Sequence, residues 1–180
     1  MSLLVEAGKF VFVDESATYL NMHRDYAWSL AGSRAHVHKD KRQGKHVSLL
    51  AAMSLEGVMA SLLVEGSVDT EVFLHYVRHD LCPSLKPGQI VVLDNCKIHL
   101  SEAIRSAIEA AGASLCFLPP YSPDLSPIEN AFSKLKAILK RLGASCLDSL
   151  SLAVRKAFDA ISLQDILAWF DLCGYPTHSF

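Results

Sequence analysis

The chain has 180 residues, the size of one domain with a core of its own, and its 51% apolar and 20% charged composition excludes a disordered tail. No apolar run approaches the ~18 residues of a membrane helix, so a protein that spans by such a helix is excluded. A net charge of −2 excludes a uniformly basic nucleic-acid coat. The charge is unevenly spread, however. Residues 34–46 hold five basic side chains against one acid, and residues 131–141 hold four with no acid, so the remainder carries −10. A mildly acidic body with two basic segments suits a protein that meets a polyanion at one face, although two solvated surfaces explain the same charges.

Residues 9–13 are aromatic and β-branched and predict a buried strand ending at Asp14. A second strand is predicted at 26–31. Segments 46–55 and 58–64 are both apolar and are joined around Glu56-Gly57, a hairpin signal. Helical spacing of Val72, Phe73, Tyr76, Val77 and Leu81 predicts a helix over 69–81, stopped by Pro83. Gln89–Leu93 predicts a strand ending at Asp94. A helix over 101–111 with Gly112 as its stop and a strand at 113–118 follow. Residues 119–127 form a proline-rich loop that delivers a long amphipathic helix over 127–142, closed by Gly143. Helices at 147–161 and 163–172 complete the chain, and the tail from Gly174 is irregular. Strands followed by alternating helices and strands imply a mixed sheet with helices packed on it, an α/β or α+β layer fold in a single domain, 1–180.

Five scattered cysteines with no CxxC pair read as reduced thiols of a cytosolic protein, and Glu6 interrupts Leu3–Val5 too early for a secretory signal. His36/His38 and His75/His79 each share a face, but neither pair has a third ligand at a plausible spacing, so zinc is disfavoured. Trp28 reads as a packing residue.

Asp14 and Asp94 each follow an apolar strand. If the two strands are adjacent and parallel, the carboxylates meet, and two anions in contact call for a cation between them. Mg²⁺ is held by carboxylates plus phosphate oxygens, and two such ions ~3.5–4 Å apart activate an attacking oxygen and stabilise a leaving one. Capping of the following turn explains either aspartate alone. Glu129 is the third candidate. Ser126, Pro127 and Glu129 also compose a capping box, but Glu129 lies on the flank of its helix that carries Lys136 and Lys140. His99 can approach a phosphate, support Asp94 from behind, or make a local helix-start bond. Glu15 and Asn95 alternate to the opposite side of the pleat and are not expected to be ligands.

Three segments in order, Phe12-Val13-Asp14-Glu15-Ser16, Val91-Val92-Leu93-Asp94-Asn95 with His99, and Pro119-Pro120-Tyr121-Ser122-Pro123-Asp124-Leu125-Ser126-Pro127-Ile128-Glu129, resemble the catalytic domain of DDE transposases. They look most like bacterial insertion-sequence transposases related to mariner, one branch of which has 34 residues between its second and third acids, as between Asp94 and Glu129. The resemblance covers about 9–142. It implies a ribonuclease-H-like mixed sheet with helices packed on both faces, the first acid on the first strand and the second after the fourth. One of the early strand candidates must then be irregular, and 26–31 is the weakest. It implies Asp14, Asp94 and Glu129 as catalytic metal ligands for two Mg²⁺ ions, with Mn²⁺ as a substitute, and His99 as a supporting residue. Divalent-metal-dependent cleavage at transposon ends and strand transfer into target DNA follow. Arg34, Lys39, Lys41, Arg42, Lys45, Lys136 and Lys140 would hold the DNA backbone. A homodimer on DNA in the bacterial cytoplasm is the expected assembly.

Only 13 residues precede Asp14, where such transposases carry helix-turn-helix modules. End recognition is therefore expected from a separately encoded helix-turn-helix subunit. The rival reading is a catalytically inactive or relic DNA-binding or assembly module of a split transposase. A small-molecule phosphohydrolase is a further rival, and the chain lacks the glycine-rich phosphate loop it would need.

Overall fold

The computed structural model describes residues 7–20, 22, 29–34, 44–120 and 122–177. Its sheet consists of β1 (Phe10–Tyr19), β2 (His46–Ser54), β3 (Gly57–Glu65), β4 (Ile90–Leu93) and β5 (Ser114–Phe117), in the order β3-β2-β1-β4-β5. The β1–β2 and β2–β3 pairs are antiparallel, whereas β1–β4 and β4–β5 are parallel.

Alternation of side chains divides the sheet into two faces, each with its own core. Phe12, Leu49, Ala51, Met53 and Val92 point to one face. There they meet α3 (Pro127–Leu142), α4 (Leu147–Asp159) and α5 (Leu163–Leu172). Val11, Val13, Leu50, Ala52, Val91 and Leu93 point to the other, against α1 (Thr70–Tyr76), the turns that extend it, and α2 (Glu102–Ala110). The mixed sheet with helices on both faces is the ribonuclease-H-like architecture. Apolar residues run almost unbroken through β2 because it is covered on both sides.

Three expectations need correction. The first strand does not stop at Asp14. It continues to Tyr19, pairing with β2 from Phe12↔Met53 to Tyr19↔His46. Polar side chains do not end a strand whose backbone has a long apolar partner, and Ser16 and Thr18 are themselves buried. Of the strand predicted at 26–31, the described residues form none: Ser29 and Leu30 lie outside regular structure, and Ala31 and Gly32 form a turn closed by the Ser33 N–H donating to the Leu30 carbonyl at 3.0 Å. Residues 26–28 lie outside the described residues. Among the described residues β4, which precedes Asp94, is the fourth strand. Finally, the helix predicted over 69–81 is regular only through α1. It widens into a π turn at Val77–Leu81 and tightens into a 3₁₀ turn at Cys82–Ser84, where Pro83 ends it.

Elsewhere the elements follow local chemistry. Asp69 caps α1 by accepting from the Val72 N–H at 2.9 Å. The hairpin turns on Leu55-Glu56, with Ser54 paired to Gly57. α3 spans the predicted residues and ends at Gly143, whose φ of 63° is the left-handed conformation that glycine adopts without strain. The five cysteines are free thiols. Among the described residues, no helix is long and apolar enough to cross a membrane.

A register irregularity between Leu50 and Ala52 places Ala60 of β3 at φ 47°, and the carbonyl of Ala60 accepts a 2.6 Å hydrogen bond from the buried Tyr76 hydroxyl. Tyr76→Phe keeps the ring and strands that carbonyl. The expected loss is about 1–2 kcal/mol in urea unfolding, and an unchanged midpoint would show that the bond contributes nothing.

Candidate active site

Parallel pairing of β1 and β4 matches Phe10 to Ile90, Val11 to Val91 and Phe12 to Val92. The same register carried two residues further brings Asp14 beside Asp94. Asp14 has the parity of Phe12, so it faces the side of the sheet covered by α3. Glu129, in the first turn of that helix, reaches the same place from above. All three acids line one cavity of about 730 Å³, together with Asn95, Cys96 and the loop residues Pro119, Pro120, Ser122 and Pro123.

The electrostatics record this convergence. Burial raises the Asp14 carboxyl from 3.8 to about 7, and the negative charges of Glu129 and Asp94 push in the same direction, partly offset by a 2.7 Å bond from the Glu15 N–H to Asp14 Oδ1. Asp94 moves the other way. Its carboxyl is held below the ordinary value chiefly by His99, whose Nδ1 lies 2.5 Å from Asp94 Oδ1, with a further bond from the Cys96 N–H at 3.1 Å. An ionised carboxylate only accepts, so His99 donates from Nδ1. His99 is buried, its ring 4.3 Å from that of Phe73, and its Nε2 is a buried atom without a hydrogen-bond partner. His99 thus supports Asp94 from behind rather than lying open to the cavity.

Glu129 was open to a second interpretation, the capping box, but Ser126 makes no side-chain capping bond, and α3 begins with a backbone bond from the Glu129 N–H to the Ser126 carbonyl at 3.2 Å. Glu15 and Asn95 also border the cavity, contrary to the expectation that they turn away, although the Glu15 carboxylate is engaged by the Ser48 hydroxyl at 2.8 Å. Asn95 lies past the end of β4, where the alternation of a strand no longer applies.

Three carboxylates on one wall are the hard oxygen donors that Mg²⁺ or Mn²⁺ accepts, and their mutual repulsion is what a cation would relieve. The donor set therefore fits such an ion in chemistry. In spacing it is not a closed cage. Among the described residues, no group of three or more His, Cys, Asp or Glu side chains is near enough to hold a metal ion. His75 and His79 stack at 4.3 Å on an exposed surface, and His36 and His38 lie outside the described residues.

The expected DNA-binding residues divide similarly. Arg34 is exposed. Lys45 is exposed but paired with Glu65 at 2.8 Å, so it is not a bare cation. Lys136 and Lys140 are half-buried on α3, on the stripe that starts at Glu129. Lys39, Lys41, Arg42 and Trp28 lie outside the described residues.

Sequence reasoning missed one contributor to this region. Tyr175, in the irregular tail, donates a 2.9 Å hydrogen bond from its hydroxyl to the Leu125 carbonyl. No local signal marks a contact between residues 50 apart.

Comparison with known proteins agrees with this fold. No curated protein matches the chain in sequence. Among solved structures it resembles the mariner Mos1 paired end complex with Mg at 22% identity and a TM-score of 0.73, over 97% of this chain and 53% of that one. It also resembles the Mos1 strand transfer complex (22%, 0.70, 94% and 52%). The catalytic domain of Mos1 mariner transposase is similar at 17% identity and 0.68, over 94% and 78%. The chain thus spans about half the length of the first two. At these identities the likeness establishes the fold, which is shared nearly end to end. Residues 9–151 match the family described as DDE superfamily endonuclease, a stretch that holds all three acids, and the chain belongs to that family.

Proposed function

We propose that the chain is the catalytic domain of a DDE transposase related to bacterial insertion-sequence enzymes, cleaving DNA at transposon ends and joining the freed ends to target DNA. The observation that carries this reading is the convergence of Asp14, Asp94 and Glu129 on one cavity from β1, β4 and α3. The Mos1 structures, four of them with Mg or Mn, support it by analogy.

In this reading Asp14, Asp94 and Glu129 hold two Mg²⁺ ions, or Mn²⁺. Bound there, these ions would supply activation of the attacking oxygen and stabilisation of the leaving one. The chain's own part is positional. β1 and β4 fix two carboxylates side by side, and α3 brings the third. His99 keeps Asp94 ionised and orients it. In cleavage a water oxygen displaces the 3′-oxygen in line at phosphorus; in strand transfer that 3′-hydroxyl displaces a 3′-oxygen of target DNA. Lys136 and Lys140, with Arg34 and the basic segment around it, would hold the backbone and impose a steep salt dependence. The 34-residue interval, the single domain over 1–180, a homodimer on paired ends, a separate helix-turn-helix partner and a bacterial cytoplasmic setting belong to the same proposal.

A second reading has its own observation. Among the described residues no three ligating side chains stand close enough to hold a metal, and this weighs toward a non-catalytic DNA-binding or assembly module that keeps the fold. Nicking of supercoiled plasmid in Mg²⁺ or Mn²⁺ separates the two. The catalytic reading expects nicking that falls by roughly two orders of magnitude or more in Asp94→Asn, the scale of losing one electrostatic element of such a site. Equal rates in the two proteins, or none in either, would leave the non-catalytic module.

A further inference from the structure

The loop 122–126 sets the position of Glu129, yet most of its own hydrogen bonds are local. The Leu125 N–H donates to the Ser122 carbonyl at 3.2 Å, the Ser126 N–H to Pro123 at 3.0 Å, and the Ser122 hydroxyl to Pro120 at 3.4 Å. Among the described residues, the bond that ties it to a distant part of the chain comes from the Tyr175 hydroxyl to the Leu125 carbonyl. Tyr175 is itself anchored. Its N–H donates to the Phe170 carbonyl at 2.9 Å, and its ring meets Phe12 at 4.9 Å and Phe10 at 5.2 Å, both on the strand that carries Asp14. The same segment grips α3, through Asn130 Nδ2 to Cys173 Sγ at 3.9 Å and Lys134 to Asp165 at 2.6 Å.

We infer that Tyr175 is a positioning residue: wedged between β1 and the 122–126 loop, it fixes the distance between the elements that bear Asp14 and Glu129. It lies beyond the stretch that matches the family, so the C-terminal segment is a working part of the site. The inference rests on reading Asp14 and Glu129 as the acting acids, but its structural half can be read without activity.

Tyr175→Phe keeps the ring and removes only the hydroxyl. Amide hydrogen exchange at Leu125, Ser126 and Glu129 should quicken about five- to tenfold, the change in open population that one hydrogen bond controls, with exchange in β2 and α2 unchanged. Plasmid nicking at low Mn²⁺ should fall about fivefold and recover at saturating Mn²⁺, since a loosened acid can still be drawn in by excess metal. Unchanged exchange in the loop overturns the inference, as does a uniform rise across the whole protein, which would mean mere destabilisation. A loosened loop with wild-type nicking at every Mn²⁺ concentration overturns the positioning role. If neither wild type nor variant nicks, the catalytic reading fails, and loop exchange alone still decides whether Tyr175 holds the loop.

Discussion

Asp14→Asn should make the metal-free protein more stable at pH 8 while removing its nicking activity. Burial and the two neighbouring acids raise the Asp14 carboxyl from 3.8 to about 7. Between these values the folded protein keeps a proton that the unfolded chain releases. Stability therefore falls as pH rises from about 4 to about 7 and is level above that. Asparagine has the shape of the protonated acid and carries no charge at any pH. The variant and the wild type should therefore melt together near pH 4. They should diverge as pH rises, until the variant leads by on the order of 2 kcal/mol at pH 8, several degrees in melting temperature. Thermal unfolding in a chelator across this range measures it. A gap of equal size at pH 4 and pH 8 would trace the gain to packing rather than to charge. Adding Mn²⁺ should stabilise the wild type and not the variant, because a ligand that binds only the folded state adds to its stability.

Phe170→Ala carries the second large effect. Phe170 belongs to α5, beyond the residues that match the family, and is fully buried. Its ring stands edge-on to Phe12 at 5.4 Å and 82°. Phe12 lies on β1 two residues before Asp14, so this contact joins the C-terminal helix to the strand that carries the first acid. Removing so large a buried ring costs about 3–5 kcal/mol, equivalent to a fall of roughly 10 °C or more in a domain of this size. Leu163→Ala on the same helix, 60% exposed, should change stability by no more than about 0.5 kcal/mol. Urea unfolding of both proteins tests the single-domain proposal. If Phe170→Ala were as mild as Leu163→Ala, or melted α5 in a separate early transition, the C-terminal helices would be an appendage.

Most of the elements were legible because each rests on local chemistry. The helix over 127–142 could be read from its apolar face and from Gly143, and α3 has those ends. The strand before Asp94 could be read from an apolar run bounded by Pro87-Gly88. The extension of β1 to Tyr19 could not. Asp14-Glu15-Ser16 looks like the end of a strand until β2 is seen to pair with it residue by residue. Within the segment at 26–31, the described residues Ser29–Ala31 form no strand. Strand propensity describes how well a residue fits a half-buried pleat, and only a neighbouring strand creates one.

For the candidate site the division is sharper. Sequence alone named the three carboxylates, because residue type, strand-end context and the order of three motifs are all local or linear. It also drew His99 to Asp94, five residues apart, as either a support or a bystander. Tertiary structure decided between such alternatives. Parallel pairing of β1 with β4 put Asp14 beside Asp94, the missing side-chain cap at Ser126 separated Glu129 from the capping box, and Lys45 acquired Glu65 as a partner. It alone brought Tyr175 to Leu125. Chemistry belongs to side chains and can be read one residue at a time, whereas charge repulsion, burial and hydrogen bonding depend on distances that exist only once the chain has closed on itself.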